Sequence, residues 1–202
     1  MRTPAREATN VFFVFLLPLL MSFLPLSLSD QNYSASNNVK ITVLGTSNIH
    51  DWTLVSEKGN CTMVVQQDAA GAVTGMSNLN FTLPVNTLKS EHGNTMDNNA
   101  YKAMEASKYP NVSFKSSSVT VKPNGANSYT VTAPGKLTIS SGAKDVTLTG
   151  TCKVNADKSV TITGSYKLKT TDYNVKPISI MLGAIKTGAD VTIQYSLTAK
   201  PQ

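Results

Sequence analysis

The stretch DVTLTGTCKVNADKSVTITGSYKLK, residues 145–169, alternates apolar and polar side chains on either side of the turn-forming segment NADKS. In its first half Val146, Leu148 and Cys152 share one face, and threonines and a lysine occupy the other. Successive side chains of a strand point to opposite faces, so this alternation predicts two strands, each with one buried and one solvated face. Half-buried strands joined by short turns favour antiparallel pairing.

The same alternation recurs along most of the chain, in both directions from this stretch. Clusters rich in Gly, Asn, Asp and Ser separate the runs. The pattern predicts about eight strands in one all-β domain, built as an antiparallel sandwich or a closed barrel. An eight-stranded barrel has room for packed side chains or for one small apolar ligand. The clearest runs are VKITVLG (39–45), NLNFTLPV (78–85), SYTVTA (128–133), GKLTIS (135–140) and DVTIQYSLTAK (190–200).

One segment, residues 90–114, departs from this pattern and predicts a helix. Its apolar residues Met96, Ala100 and Met104 recur at helical spacing, which indicates a single amphipathic helix over about 94–107. Methionine side chains conform to irregular surfaces. The helix is therefore expected to cover the open mouth of a barrel.

The ends of this helix also have sequence signals. Asn94 is a candidate N-cap, with Asp97 three residues further on in a box-like pairing. Tyr109-Pro110 is expected to end the helix, because the residue before a proline avoids the α conformation.

The first 29 residues read as a secretory signal peptide. Arg2 and Arg6 precede an apolar run from Val11 to Leu28, and Ser27-Leu28-Ser29 suits a signal peptidase. An uncleaved membrane anchor is the alternative, because the run is nearly long enough to span a bilayer. We expect cleavage, which leaves residues 30–202 as one exported domain, either periplasmic or secreted.

The charge pattern argues against nucleic-acid binding. The chain has a formal net charge of +6, but its only arginines lie in the leader. The rest lacks the guanidinium fork that reads guanine edges and clamps phosphates. Its lysines are scattered, so the charge indicates a solvated surface with mild attraction to anionic membranes.

Cys61 and Cys152 are the only cysteines, and both fall on apolar strand faces. An exported chain meets an oxidising compartment, where a disulfide forms readily. A free cysteine on an inward face acts instead as a small hydrophobic residue. The sequence leaves both readings open.

Two histidines are the candidates for chemistry. A small hydrolase could use His50 with Asp51 and Ser47, but adjacent strand residues point to opposite faces and no G-x-S-x-G elbow is present. His92, beside Glu91, could join His50 at a metal, but the spacing matches no metal motif. We therefore expect neither a catalytic residue nor a metal site, and we interpret Trp52 as a pocket wall.

Residues 168–193 contain a second unusual feature, a long connection rich in apolar side chains. Tyr173, Ile178, Met181 and Leu182 lie between two predicted strands, where a surface loop would be polar. They are expected to fold over an apolar cavity. A loop packed on its own side chains is the alternative.

These segments, in this order, resemble the YceI-like family of lipid- and polyisoprenoid-binding proteins. The resemblance lies in the leader and in GTSNIHDWT, LPVNTLKSEHGNTMDNNAYKAMEASKYPNVSF, GKLTISSGAKDVTL and LKTTDYNV with MLGAIKTGADVTI. The resemblance covers nearly all of residues 39–198. The members that the chain resembles are the exported ones common in Bacteroidetes-type bacteria. This chain has Tyr173-Asn174 where many members have Phe-Gly.

The resemblance implies a lipocalin-like antiparallel barrel with one helix after the third strand. Some members hold a long isoprenoid, quinone-like or fatty-acid-like molecule inside it. We therefore expect a non-catalytic carrier or store for such a lipid, with no other cofactor and with transient contact at a membrane surface. A stress-related or structural interaction protein with a side-chain-filled barrel is the alternative. The residues expected to line the pocket are Trp52, Met63, Phe81, Met96, Tyr101, Met104, Tyr109, Phe114, Ile139, Leu148, Tyr173, Ile178, Met181 and Leu182.

Overall fold

A computed structural model describes residues 29–202, and the predicted leader up to residue 28 lies outside the described residues. The described chain is a strand series interrupted by one α-helix, α1, at Asn94–Ala103. No helix in this part of the chain has the length and apolar character to span a membrane. The strands are β1 Ser29–Ser36, β2 Val39–Ser47, β3 Trp52–Ser56, β4 Asn60–Gln67, β5 Val73–Pro84, β6 Lys89–Ser90, β7 Asn111–Pro123, β8 Ser128–Ile139, β9 Gly142–Val154, β10 Val160–Lys169, β11 Ser179–Ile180 and β12 Ile185–Pro201.

The last strand closes the sheet into a ring, because β12 pairs with two consecutive strands from the start of the chain. Leu197 lies opposite Val39 of β2, and Pro201 lies opposite Tyr33 of β1. Asn37, with a φ of 59°, bends the chain between these two strands. The ring runs β1, β4, β5, β7, β8, β9, β10, β12 and back to β1, with antiparallel neighbours throughout. The predicted eight-stranded all-β barrel is confirmed.

The stretch 145–169 forms the predicted antiparallel pair, with Val154 of β9 opposite Val160 of β10. Gly150 and Gly164 face each other in this pair and leave space for an aromatic ring. A Cβ on Gly164 would lie 2.4 Å from the Tyr195 hydroxyl oxygen of β12. That hydroxyl donates to the Thr149 carbonyl at 2.7 Å, so one tyrosine ties three neighbouring strands together.

One half of the barrel interior is a filled core. Tyr33, Met63, Val65 and Val160 are at most 2% exposed. The Tyr33 hydroxyl donates to the Lys158 carbonyl at 3.0 Å, which closes this end beneath the turn between β9 and β10. The internal space of the barrel lies towards the opposite end, near α1.

Cys61 and Cys152 are free thiols in this structure, and both are buried. Burial raises the pKa of the Cys61 thiol to about 12 and that of the Cys152 thiol to about 11. Both side chains are therefore protonated at neutral pH and pack as small hydrophobic groups.

The helix is confirmed and begins at the predicted residue, Asn94, but its predicted cap and its predicted end were wrong. Gly93, at φ 81°, is the N-cap, and Asn94 is the first helical residue and makes no capping bond. The helix stops at Ala103 rather than near residue 107, because Glu105 turns into the left-handed region at φ 50°. Turns then lead to Tyr109-Pro110 and β7, so the proline follows the end of the helix and does not cause it.

Candidate functional site: an apolar cavity at one end of the barrel

A cavity of about 210 Å³ occupies the half of the barrel nearest α1. Its walls are the inward faces of the strands, where every second residue points into the ring. On β5 these residues include Leu79, Phe81 and Leu83, and on β12 they include Val191 and Ile193. The period-two pattern that predicts the strands therefore also builds an apolar wall.

Helix α1 covers part of this cavity with its last turn. Ala100, Ala103 and Met104 line the space, and the two alanines let the helix backbone approach closely. The Tyr101 hydroxyl shares its single proton between the Leu88 carbonyl at 2.6 Å and the Asn86 carbonyl at 2.9 Å. These bonds tie the helix to the segment that follows β5.

The start of α1 is anchored by a buried carboxylate. Asp97 is 3% exposed, and its Oδ1 accepts a hydrogen bond from the Ser90 backbone N–H at 2.7 Å. Its other oxygen lies 3.1 Å from Lys89 Nζ. Asp97 therefore acts at the helix start as predicted, but it binds β6 instead of forming a capping box.

Trp52 forms the wall between β2 and β3. Its ring lies over Gly45, where a Cβ would come within 2.1 Å of the ring carbon Cζ2. The indole Nε1 donates to the Thr46 carbonyl at 2.9 Å. The ring is thus held in place by Thr46 and Gly45, is half-buried and lines the cavity.

Tyr173 closes the wall after β10. It lies at the end of the 3₁₀ segment Thr170–Tyr173, is 2% exposed and lines the cavity. Burial raises the pKa of the Tyr173 hydroxyl to about 12, with further contributions from Tyr166 and Asp172. Asn174 then adopts φ 60° and ψ 17°, a left-handed conformation suited to glycine or asparagine. Asparagine can therefore replace the glycine of the Phe-Gly pattern without changing the turn.

The lining carries very little polarity. The Thr170 hydroxyl is buried and has no hydrogen-bond partner among residues 29–202. The Thr187 hydroxyl, by contrast, accepts a hydrogen bond from the Ile178 backbone N–H at 2.9 Å. Lys176 also contributes to the lining but is exposed at the rim. An apolar chain fits this surface, and a charged group fits only at its mouth.

The structure brings together eight of the residues predicted to line a pocket. They contact the cavity from β3, β5, the end of α1, β7, β8, β9 and the connection after β10. They are Trp52, Phe81, Met104, Phe114, Ile139, Leu148, Tyr173 and Ile178.

The structure places the other six predicted residues away from the cavity, for identifiable reasons. Met63 points inward but lies in the filled half, and Met96 is half-buried on another part of the helix. Tyr101 is engaged in the two hydrogen bonds described above. Lys108 Nζ lies 5.1 Å from the centre of the Tyr109 ring, outside the barrel.

Met181 and Leu182 differ most from the prediction. They are 73% and 110% exposed, because they form the tip of the turn between β11 and β12. The connection was expected to fold over the cavity, but only its base, from Tyr173 to Ile178, does so.

Sequence reasoning also missed lining residues, among them Ile41, Val43, Leu79 and Ala103. Three of these lie on inward strand faces that the alternation already marked. The prediction favoured large and aromatic side chains and so left these residues out. Counting every inward position of each strand would have included the three strand residues.

His50 has no catalytic arrangement around it. The Ser47 hydroxyl donates to the His50 backbone carbonyl at 2.7 Å rather than to its ring. The His50 Nδ1 donates to the Asp51 backbone carbonyl at 2.8 Å. The structure does bring the rings of His50 and His92 together, with centroids 4.7 Å apart. Residues 29–202 contain no group of three or more His, Cys, Asp or Glu suited to a metal.

Comparisons with known proteins agree with this architecture. The family model of the YceI-like domain matches residues 32–199. The crystal structure of BcnA from Burkholderia cenocepacia is 25% identical, with a TM-score of 0.59, and the match covers 82% of this chain and 99% of that one. A polyisoprenoid binding domain from Saccharophagus degradans, implicated in plant cell wall breakdown, has the same fold at 10% identity, with a TM-score of 0.62 and coverage of 84% and 98%. No curated protein sequence matches the chain.

Proposed function

Because the chain belongs to the YceI-like family, we propose that it binds one long apolar molecule in the barrel cavity and carries or stores it without chemical change. The observation that supports this proposal is the apolar cavity of about 210 Å³ beneath α1. A site built to hold a polar ligand would need several convergent hydrogen-bonding groups. Here the wall consists almost entirely of aliphatic and aromatic side chains.

An apolar cavity that stays unfilled is unfavourable, because the side chains around it lose packing contacts. An occupant of the space beneath α1 restores those contacts. The alternative of a barrel filled by its own side chains fits the closed half around Met63 and not the half beneath α1.

The lining favours a particular class of ligand. Branched aliphatic, methionine and aromatic side chains accommodate a flexible hydrocarbon, so an isoprenoid, a quinone-like lipid or a fatty-acid-like molecule suits the wall. Thr170 is positioned to pair with one polar group of such a ligand. A charged head group would stay at the rim beside Lys176.

We do not propose catalysis. The hydrolase alternative requires a nucleophile hydrogen-bonded to the His50 ring, whereas the Ser47 hydroxyl bonds to the backbone. A His50→Ala variant should therefore keep all ligand binding and any activity of the wild type.

Export to the periplasm or the medium forms part of the proposal and rests on the sequence of the first 29 residues. A carrier of this kind would exchange its ligand by transient contact with a membrane surface. N-terminal sequencing of the protein from the extracytoplasmic fraction should begin near Asp30. A cytosolic protein that retains Met1 would contradict export.

Blocking the cavity tests the binding site directly. Ala103→Phe places a ring in the cavity, and Ala143→Phe is the matched control on the exposed face of β9. We expect Ala103→Phe to weaken binding of a fluorescent fatty acid or isoprenoid probe by about tenfold or more, because the ring takes the space of the chain. The control should bind like the wild type. Equal binding by all three proteins would place the ligand elsewhere.

Organic extraction and native mass spectrometry of protein from its producing cells form the second test. The proposal predicts a co-purifying lipid that is lost in Ala103→Phe.

A further inference from the structure

Three large apolar side chains are exposed to solvent in the part of the chain that the structure describes. Ile49 is 58% exposed, Met181 is 73% exposed and Leu182 is 110% exposed. Single exposed apolar residues are common on protein surfaces, but a cluster of them marks an interaction site. These three side chains form one surface only if the loops that carry them lie together.

The two loops that carry them are bound to each other. The Asn48 backbone N–H donates to the Lys186 carbonyl at 3.1 Å, and the Asn48 Nδ2 donates to the Ala184 carbonyl at 2.8 Å. In return, the Lys186 backbone N–H donates to the Asn48 Oδ1 at 2.8 Å. Three hydrogen bonds therefore hold the loop after β2 against the turn before β12. We refer to Ile49, Met181 and Leu182 together as the apolar tip.

The backbone holds this tip outward at a cost. Met181 and Leu182 have φ values of 52° and 55°, in the left-handed region that non-glycine residues seldom adopt. Below them the hairpin is well formed, with Ser179 opposite Lys186 and Ile180 opposite Ile185. The strained turn therefore carries the two most exposed large apolar side chains of residues 29–202.

The apolar tip stands beside the mouth of the cavity. At the base of the hairpin, Ile178 and Thr187 pair with each other and both line the cavity. Lys176 and Lys186 flank the hairpin, and residues 174–188 contain no carboxylate, while the loop that carries Ile49 also carries Asp51. The hairpin is thus apolar at its end, basic at its sides and continuous with the cavity wall.

From these observations we infer that the apolar tip inserts into the head-group region of a bilayer that contains anionic lipid, and so sets the cavity mouth on the membrane surface. This inference rests on the proposed function, since it supplies the route by which the lipid enters and leaves. A bilayer suits the tip better than a protein partner or a second copy. A stable protein interface covers about 800 Å² on each side, more than three side chains on a protruding turn can provide. Apolar residues beside lysines match the interface of an anionic membrane.

Vesicle sedimentation tests the inference with protein purified from its producing cells. Wild type should bind vesicles of phosphatidylcholine with phosphatidylglycerol, bind phosphatidylcholine alone more weakly, and lose affinity as salt is added. Leu182→Ser and Met181→Ser should each weaken binding by about tenfold, because each removes one apolar side chain from the lipid contact. Both positions are exposed, so the variants should unfold at the same urea concentration as the wild type.

The lysines provide a matched pair of variants. Lys176→Gln with Lys186→Gln should reduce binding to anionic vesicles and flatten its dependence on salt. Lys122→Gln with Lys153→Gln makes the same change in charge towards the opposite end of the barrel, and should leave binding unchanged.

A fluorescent lipid probe in vesicle-free buffer separates this inference from the proposed function. Leu182→Ser should bind the probe like the wild type while losing vesicle affinity. If the wild type fails to bind the probe but still binds vesicles through Leu182, the proposed function fails and the membrane contact stands. Equal vesicle binding by wild type and a Met181→Ser, Leu182→Ser double variant overturns the inference. So does a change in oligomeric state, on gel filtration with light scattering, without a change in vesicle binding.

Discussion

At the scale of single residues, the informative side chain is Thr170. Its hydroxyl is buried at the cavity wall and has no partner among residues 29–202, whereas the hydroxyl of Thr187, also on the wall, is bonded to the Ile178 N–H. A buried polar group without a partner costs about 1–3 kcal/mol. A polar group of a ligand, or an ordered water molecule, can supply the missing hydrogen bond.

Thr170→Val should therefore raise the free energy of unfolding of the ligand-free protein by about 1 kcal/mol, because it removes an unpaired hydroxyl at nearly constant volume. The same variant should bind a long-chain alcohol or quinone more weakly and a plain hydrocarbon equally well. Thr187→Val is the control, and it should lower stability because it leaves the Ile178 N–H unpaired. Urea unfolding and probe titration measure these effects. Loss of stability in Thr170→Val, with unchanged binding, would show that the hydroxyl already has a partner.

At the scale of secondary-structure elements, α1 is held at both ends of its short length. Asp97 bonds to β6, and the Tyr101 hydroxyl bonds to the chain between β5 and β6. Its contact with the cavity, by contrast, is made by small or flexible side chains, Ala100, Ala103 and Met104. The helix is thus a fixed cover with an adaptable inner surface.

Asp97→Ala should lower the free energy of unfolding by about 1–3 kcal/mol, because the buried Ser90 N–H loses its acceptor. Amide hydrogen exchange across Asn94–Ala103 should become faster. Asp145→Ala is the matched control. That carboxylate is 85% exposed in its pair with Lys136, and exposed pairs contribute about 0–1 kcal/mol. Similar losses in the two variants would show that Asp97 does not anchor the helix.

Met104→Ala tests the role of α1 as a cover of the cavity, and Met181→Ala tests the role of the apolar tip. Met104 lines an existing cavity, so its truncation should cost less than the roughly 2–5 kcal/mol typical of a filled core, while probe affinity falls. Met181 is exposed, so its truncation should change neither stability nor probe binding in vesicle-free buffer. The sequence alone predicted that both side chains line the pocket, and on that prediction both variants would lose affinity. Bound lipid should slow hydrogen exchange in α1, and unchanged exchange would contradict its role as a cover.

At the scale of the whole molecule, the barrel buries several groups that ionise at alkaline pH. Burial raises the pKa of Cys61 from 9.0 to about 12 and that of Cys152 from 9.0 to about 11. It also raises the pKa of Tyr195 from 10.0 to about 12. In the unfolded chain these groups lose their protons at lower pH than in the folded barrel.

The contribution of these groups to the free energy of unfolding should therefore be fully present below pH 9.0, and it should be lost as the pH rises from 9.0 towards 12. The urea midpoint of a Cys61→Ala, Cys152→Ala variant should fall less over this range than that of the wild type. In native protein at neutral pH both thiols should resist a thiol reagent, and in urea both should react. A mass two units lower without reductant would instead show a disulfide, and the alkaline loss assigned to the thiols would then disappear.

The sequence by itself determined the local conformation. Period-two alternation requires only that consecutive side chains of a strand point to opposite faces, so it located most of the strands and inward residues such as Phe81 and Leu148. It did not identify β1, and it divided β8 into the two runs SYTVTA and GKLTIS. Helical spacing in the same way identified α1. The left-handed turn at Glu105 and the glycine cap before Asn94 left no such periodic signal, so the cap was assigned to the wrong residue and the helix was predicted to end too late.

Only the tertiary structure decided which inward residues meet ligand space. Met63 of β4 and Phe81 of β5 both point into the barrel. Met63 lies in the filled half, whereas Phe81 lines the cavity. The difference depends on how β12 closes the ring against β1 and β2, which is a contact between the two ends of the chain. The apolar tip likewise depends on a contact between distant segments, because the hydrogen bond between Lys186 and Asn48 holds its two loops together. Pairings between residues so far apart in sequence depend on barrel register, which local periodicity does not encode.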